Sequence, residues 1–490
     1  IPPLNEMVIY ELHVGTFGKR EGRPEPGTRE GVIERLPYLR ELGINAVEVM
    51  PLAEFAGGYS WGYNPSHIFA VESDYGSPRT FRDFVEESHK LGIAVIVDVV
   101  YNHFGPSDLD LWQFDGWNEN GKGGIYFYND WRAQTPWGET RPDYGRREVR
   151  EYIRDNALMW LKEFDVDGLR WDMTAFIRNV HGRNEDPGSD IPDGWSLMQW
   201  VNRQTRRVKP GVLTVAEDLQ GNAFLTKSQK DGGAGFNTQW AAPFVHPVRA
   251  ALLAPEDKDR DMFAVRNAIM HRYYLDAFER VVYTESHDEV ANGKARVPEE
   301  VDPGKASSWA AKKKSTLGAA MVFTVQGIPM IFQGQEFLED DWFHDQDPID
   351  WKKTERFAGI LALYKDLIAL RLNRTGVSKG LSGQEVDVYH VNQNDKLIAY
   401  HRWAQGGPGD SVVVVANFSS KSRENYVLGL PAAGEWNVVL NSDSSRYDRE
   451  FVDFGSASAH AEQSGRDGLP AQGRVSVAAY SVLILSQDGR

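Results

Sequence analysis

The chain has 490 residues, 41% of them hydrophobic and 25% charged, with 54 Lys and Arg against 70 Asp and Glu for a formal charge of -16. That length predicts two or three domains rather than one core, and the negative field repels polyphosphates and anionic surfaces, so neither nucleic acid nor membrane is expected as a partner. The absence of cysteine removes disulfides, thiolate metal sites and thiol catalysis, and no apolar run approaches the roughly 20 residues of a membrane span.

Ile1 stands where a start methionine is expected, which predicts that residues once preceded it. From Met7 to residue 371, apolar strands, polar loops and amphipathic helices alternate, the pattern of parallel βα units. The predicted strands are MVIYELHV (7–14), NAVEVMPL (45–52), IAVIVDVV (93–100), VDGLRWD (166–172), VLTVAED (212–218), AGFNTQW (234–240), RVVYTES (280–286) and IPMIFQG (328–334). Eight strands in series predict a closed (β/α)8 TIM barrel. Between them, Ser77 as N-cap and Pro78 at the first helical position open a helix that buries Phe81, Phe84, Val85 and Leu91 and stops at Gly92. Val149, Ile153, Ala157, Trp160, Leu161 and Phe164 recur at helical spacing.

A long insertion rich in Gly, Trp and Asp, 104–145, follows the third strand, and long loops at that end of a barrel are usually functional. From residue 375 the pattern changes to short alternating runs, VDVYHV, LIAYHRW, DSVVVVANF and SVAAYSVLIL, which predict an all-β sandwich. The expected organisation is a catalytic barrel over 1–103 and 146–374, an insert domain over 104–145 and a C-terminal β-sandwich over 375–490.

Strand ends of a parallel barrel converge on one face. Here those ends are polar: Asp98, Asn102 and His103 on the third unit, Arg170 and Asp172 on the fourth, Glu217 and Asp218 on the fifth, Glu285, His287 and Asp288 on the seventh. Any one cluster also fits a helix cap or a loop salt bridge, but four at equivalent positions point to a site. Glycoside hydrolysis with retention needs an ionised carboxylate to attack the anomeric carbon and a protonated carboxyl to donate to the leaving oxygen, about 5 to 5.5 Å apart. The ends of strands four and five can supply that pair. Arg170, two residues before Asp172, points to the same side and can keep Asp172 ionised. Glu217 has no close basic neighbour in sequence and is expected to hold its proton near neutrality. Fifteen Trp, 19 Tyr and 23 Phe exceed the needs of a core, and sugar faces stack on aromatic rings. Trp61, Trp112, Trp131, Trp137, Trp342 and Phe343 lie in loops after strands and fit either sugar platforms or loop packing.

The runs DVVYNH (98–103), GLRWD (168–172), AED (216–218) and SHD (286–288) resemble, in order, the four signature segments of the α-amylase family, glycoside hydrolase family 13. The resemblance spans the whole barrel and implies Asp172 as nucleophile, Glu217 as general acid and base, and Asp288 as the third carboxylate that grips the distorted sugar. It also implies that Asp98, His103, Arg170 and His287 bind substrate in the same subsite and that Tyr63, in WGYNP, is the platform beneath the sugar. The implied partner is an α-glucan or a maltooligosaccharide. No cofactor is required. Asn102 corresponds to a position that binds calcium in many amylases, and a metal-free loop hydrogen bond is the equal alternative. Oligomeric state and compartment are not encoded in any motif.

Within the family, SHDEVANGK (286–294), GQEF (334–337), DYGRREVREYIRDNALMWL (143–161) and VVANFSSKSRENYVLGLPAAGEWNVVLNSDS near the C-terminus are similar to glycogen branching enzymes. IYELHVGTF (9–17) and TPWG (135–138) are closer to maltooligosyl-trehalose trehalohydrolases. The chain shows no N-terminal β-domain of the kind both groups carry, has AED where bacterial branching enzymes usually carry AEE, and lacks a segment of their insert. These departures favour hydrolysis of α-1,4-glucan bonds through a covalent glycosyl-enzyme, with glucan branching as the alternative and trehalohydrolase activity behind it. A non-catalytic barrel used for binding is the remaining class, and the intact Asp172, Glu217 and Asp288 set speaks against it.

Overall fold

The computed structural model describes residues 1–489. Eight parallel strands close into a barrel in sequence order: β1 (Ile9–Leu12), β2 (Ala46–Val49), β3 (Ala94–Val99), β4 (Gly168–Trp171), β5 (Leu213–Ala216), β6 (Thr238–Trp240), β7 (Arg280–Val282) and β8 (Ile328–Phe332). Each of the eight predicted runs contains one strand, so the expected α/β barrel is the observed fold. Every strand residue is buried, as in parallel sheets covered on both faces. The chain packs as two compact units, one of residues 1–2, 9–242 and 345–348, the other of 3–8, 243–344 and 349 onward.

In the first unit, the Ser77 hydroxyl accepts from Thr80 N at 3.2 Å and caps the helix α1 (Pro78–Lys90), which buries Phe81, Phe84 and Val85. The chain leaves that helix through Gly92, whose φ of +70° lies in the left-handed region glycine adopts without strain. The helix α2 (Arg147–Glu163) buries Val149, Ile153, Ala157, Trp160 and Leu161. Phe81 meets Trp160 and Phe164 with ring centroids 5.7 and 4.9 Å away, which joins the two helices through aromatic faces. The insertion after β3 is largely irregular, with one short helical turn at Trp131–Ala133. It is held by polar contacts: the fully buried Arg141 donates to the carbonyls of Arg132, Gln134 and Val180 at 2.7, 2.6 and 2.8 Å and to that of Phe176.

In the second unit, eight antiparallel strands follow the barrel: β9 (Glu385–Asn392), β10 (Leu397–Trp403), β11 (Val412–Asn417), β12 (Arg423–Leu430), β13 (Gly434–Asn441), β14 (Ser458–Ala461), β15 (Ala471–Val477) and β16 (Ser481–Ser486). Six form one sheet in the order β9-β10-β11-β16-β13-β14, and β12 pairs with β15 in another. Leu428, Leu430, Val475 and Val477 of the small sheet share one core with Val413, Val415, Trp436, Leu483 and Leu485 of the large one. This is the sandwich arrangement expected from the alternating pattern. Among the described residues, no helix is long and apolar enough to cross a membrane.

Candidate active site

The first unit carries a polar cluster at the C-terminal ends of β3, β4 and β5. Asp98 sits beside Arg170 in the β3–β4 register, and the ladder runs one residue past each strand: Asp172 N donates to Val99 O and Glu217 N to Trp171 O, both at 3.0 Å. The backbones that carry the two candidate carboxylates are therefore fixed by sheet hydrogen bonds rather than by loops.

Arg170, with no exposed side-chain surface, is the hub. Its Nη1 donates to Asp98 Oδ1 and Oδ2 at 2.9 and 2.8 Å and to Asp172 Oδ1 at 3.1 Å. Its Nη2 lies 2.7 Å from Glu217 Oε2, an ion pair by distance without hydrogen-bond alignment. The guanidinium stands over the Trp240 ring, 4.3 Å from its centroid. Burial alone would lower its pKa, but the charges of Asp98, Glu217 and Asp172 outweigh that and hold it well above the ordinary arginine value. Glu217 has no basic neighbour in sequence, and the neighbouring strand brings Arg170 to it in space.

The remaining contacts give the two carboxylates different surroundings. Asp172 accepts from Arg170 on Oδ1 and from the Asn102 amide on Oδ2 at 2.6 Å, so both oxygens are held by donors. Glu217 Oε2 accepts from Met173 N at 3.0 Å. Met173 has φ +36°, a strained left-handed conformation for a residue with a side chain, and it places that N–H next to the nucleophile candidate. Tyr63 donates its hydroxyl to Asp98 Oδ2 at 2.6 Å. His103 faces the Tyr63 carbonyl with Nε2 at 2.8 Å and the Asn102 amide oxygen with Nδ1. Burial pushes its pKa down to about 4 against the opposing pull of Asp172. The half-exposed Trp137 of the insertion stacks on the His103 ring, with centroids 4.7 Å apart.

The structure thus brings together Tyr63, Asp98, Asn102, His103, Arg170, Asp172 and Glu217. Asn102 is turned with its amide nitrogen toward Asp172 and its oxygen toward His103. Among the described residues, no group of three or more His, Cys, Asp or Glu is placed to hold a metal. His287 and Asp288 belong to the second unit, in the segment after β7. There Glu285 is held by Arg296 Nη1 at 3.1 Å and Val297 N at 2.7 Å, a structural pairing, whereas the half-buried Asp288 accepts from the Asn292 amide at 2.7 Å.

Two features were not anticipated from sequence. Glu48 of β2 is buried beside Glu11 in register. Burial, against the attraction of Arg170, pushes its pKa well above the ordinary carboxylate value. Asp218 is locked to Arg178 by two hydrogen bonds, 2.9 and 2.7 Å, and Thr174 Oγ1 reaches both Asp218 Oδ2 and Glu217 O. Of the aromatic residues in loops, Phe343 packs on Phe332 in the core, while Trp131 and Trp342 stand at least half-exposed.

Residues 13–122 and 112–366 match the family model described as alpha amylase, catalytic domain, and residues 389–488 match alpha amylase, C-terminal all-beta domain. Similar curated proteins include the 1,4-alpha-glucan branching enzyme GlgB of Kitasatospora aureofaciens, 32% identical over 499 residues that cover 96% of this chain and 61% of that protein. GlgB of Corynebacterium jeikeium is 30% identical over 487 residues, 97% of this chain and 66% of its own. The chain therefore spans about three fifths to two thirds of the length of these relatives. Among solved structures, the alpha-amylase of Geobacillus thermoleovorans, complexed with acarbose, superposes with a TM-score of 0.73 at 18% identity and 99% coverage of both chains. The Anoxybacillus alpha-amylase superposes with a TM-score of 0.74 at 17% identity and 100% coverage of both. At these identities the likeness is one of fold.

Proposed function

The chain belongs to the α-amylase family, and on that premise we propose that it cleaves α-1,4-glucan bonds with retention, with Asp172 as nucleophile and Glu217 as general acid and base. The observation that carries this is one buried guanidinium, Arg170, in contact with Asp98, Asp172 and Glu217 at once. Both oxygens of Asp172 are held by donors, which fixes the orientation of its carboxyl group. An Asp172 oxygen attacks the anomeric carbon, the glycosidic C–O bond breaks, and the departing oxygen takes the Glu217 proton. Glu217 Oε2 is anchored by Met173 N–H, so the transferable proton is carried on Oε1. In the second half, the Glu217 carboxylate removes a proton from water, the resulting oxygen attacks the same carbon, and the ester to Asp172 breaks.

Asp288 is assigned as the third carboxylate on its place after β7, equivalent to those of the others after β3, β4 and β5, and on the family motif. His287 and Asp98 are assigned to substrate binding on the same grounds. Tyr63 and His103 are assigned to the sugar-binding surface, with Trp137 behind the imidazole.

A second reading, transfer of the glycosyl group to a sugar hydroxyl to form a branch, is favoured by the likeness to branching enzymes over nearly the whole chain. Both reactions share the covalent intermediate and differ in the attacking oxygen. Amylose incubated with the protein separates them: hydrolysis raises reducing ends in proportion to the loss of iodine staining. Constant reducing ends, with new short chains released by isoamylase, identify branching. In the hydrolytic case the first product is the α-anomer by NMR, and initial release of the β-anomer overturns the retaining assignment.

A further inference from the structure

We propose that a cleft in the first unit, outside the Arg170 cluster, is a second binding site for an α-glucan chain; this rests on the α-glucan assignment above. The cleft has a volume of about 410 Å³ and is lined by Arg178, Asp190, Trp195, Asn222 and Phe224, from the segment after β4, the start of the helix Pro192–Val208 and the loop after β5. That volume falls in the range of small-molecule sites.

The lining is built for a neutral, hydroxyl-rich ligand. Arg178 is more than nine-tenths buried, yet only two of its three nitrogens are used: Nε and Nη2 bind Asp218, and Nη2 also binds Asn184 Oδ1 at 2.7 Å. The remaining Nη1 donates to no protein atom among the described residues, and Arg178 lines the cleft. Asn222 accepts from Phe224 N on Oδ1 and keeps its amide N–H2 unpaired. Asp190 accepts from Asn179 on Oδ1 and retains Oδ2 as an acceptor. Two ring faces complete the set. The Trp195 indole is fixed by its N–H to Gly232 O at 3.3 Å. Phe224 is 46% exposed, with Lys227 Nζ over its ring 4.0 Å from the centroid. The charge of Arg178 is matched by Asp218, and the negative charge of Asp190 is offset by Lys227 over the Phe224 ring, so the lining carries no charge excess that would call for an ionic ligand. Free donors, a free acceptor and aromatic faces together are what a glucose unit satisfies.

The cleft is also wired to the proton donor. Arg178 grips Asp218, and Thr174 Oγ1 ties Asp218 to the Glu217 carbonyl. A chain held by Arg178 is therefore held on the same hydrogen-bonded frame that orients Glu217.

Calorimetric titration of the turnover-blocked Asp172→Asn protein with maltoheptaose tests the proposal. Two classes of site are expected, and Phe224→Ala in that background weakens one of them about three- to tenfold, the loss of one stacked ring, while leaving the other in place. Asn222→Ala is expected to act on the same class and guards against a local folding effect of the aromatic truncation. Titration curves unchanged by both substitutions overturn the cleft as a glucan site and leave the α-glucan assignment standing. No maltoheptaose binding at all by Asp172→Asn overturns both.

Discussion

Buried arginines in the two units differ in what surrounds them, and three carboxylates gathered on one guanidinium mark the site better than burial does. Arg170 in the first unit is surrounded by Asp98, Asp172 and Glu217, and its pKa is driven up despite burial. In the second unit, Arg280 donates to the carbonyls of Gln326, Ala268 and Ile269, and Arg402 to those of Glu385, Thr324, Leu381 and Gly383. Both are as buried as Arg170, and burial drives their pKa values down, that of Arg280 to about 9. Carbonyls satisfy a guanidinium's donors without neutralising it, which serves structure. Carboxylates around a guanidinium form a charged assembly whose balance a reacting sugar can disturb, and such coupled groups are characteristic of functional sites.

The largest effect should come from the partner of Arg170 assigned to bond formation. Asp172→Asn keeps the fold and lowers turnover on amylose at least about a thousandfold, since an amide cannot form the glycosyl ester. A variant that keeps more than that fraction of the rate removes Asp172 from the role. Glu217→Gln should match this loss on glucans yet retain partial activity on a glucosyl fluoride, whose leaving group departs without a proton. Equal losses on both substrates would reassign Glu217 to a structural part.

The comparison itself is tested by exchanging the two arginines' burdens. Arg170→Lys keeps one charge but loses the planar fork that serves three carboxylates, and kcat should fall roughly a hundredfold with little change in melting temperature. Arg402→Met leaves buried carbonyls without donors, so it should cost about 3 kcal/mol of stability and leave kcat unchanged. If Arg402→Met lowers kcat as much as Arg170→Lys does, partner charge is not what separates the two.

The barrel is legible in the sequence because each strand is an apolar run closed by polar residues, and the observed strands are shorter only where the chain turns into the loops. Arg170 and Asp172 are legible as a pair because two residues along a strand share a side. What lies across strands is not. The contact of Arg170 with Glu217 depends on the β4–β5 pairing, and the buried Glu48 hides inside VEVM, where alternation in a barrel buried on both faces gives no outward side for an acid. Trp137 meets His103 through an irregular loop whose path no periodicity encodes. Asn102 stands in a motif that suggests a metal, and its hydrogen bond to Asp172 is set by the fold rather than by its place in the motif.

The smallest effect concerns two histidines, one from each unit, that burial treats alike. His103 beside Asp172 and His401 in β10 both have pKa values lowered to about 4, with burial the main cause. Each binds its proton more readily in the unfolded chain, where the ordinary value is near 6.5. The unfolded state therefore takes up protons as pH falls from 6.5 toward 4, and stability present above pH 6.5 is lost through that window. For His103 the difference between 6.5 and about 4 corresponds to about 3 kcal/mol. Urea unfolding at several pH values should show a shallower acid decline for His103→Gln, whose amide preserves a donor toward the Tyr63 carbonyl, and a similar flattening for His401→Gln. On amylose at neutral pH the two must diverge, because His103 stands in the Arg170 cluster and His401 does not: the first substitution lowers kcat/KM, the second leaves it unchanged. Acid slopes identical to wild type in both variants would show that neither imidazole is buried in its neutral form.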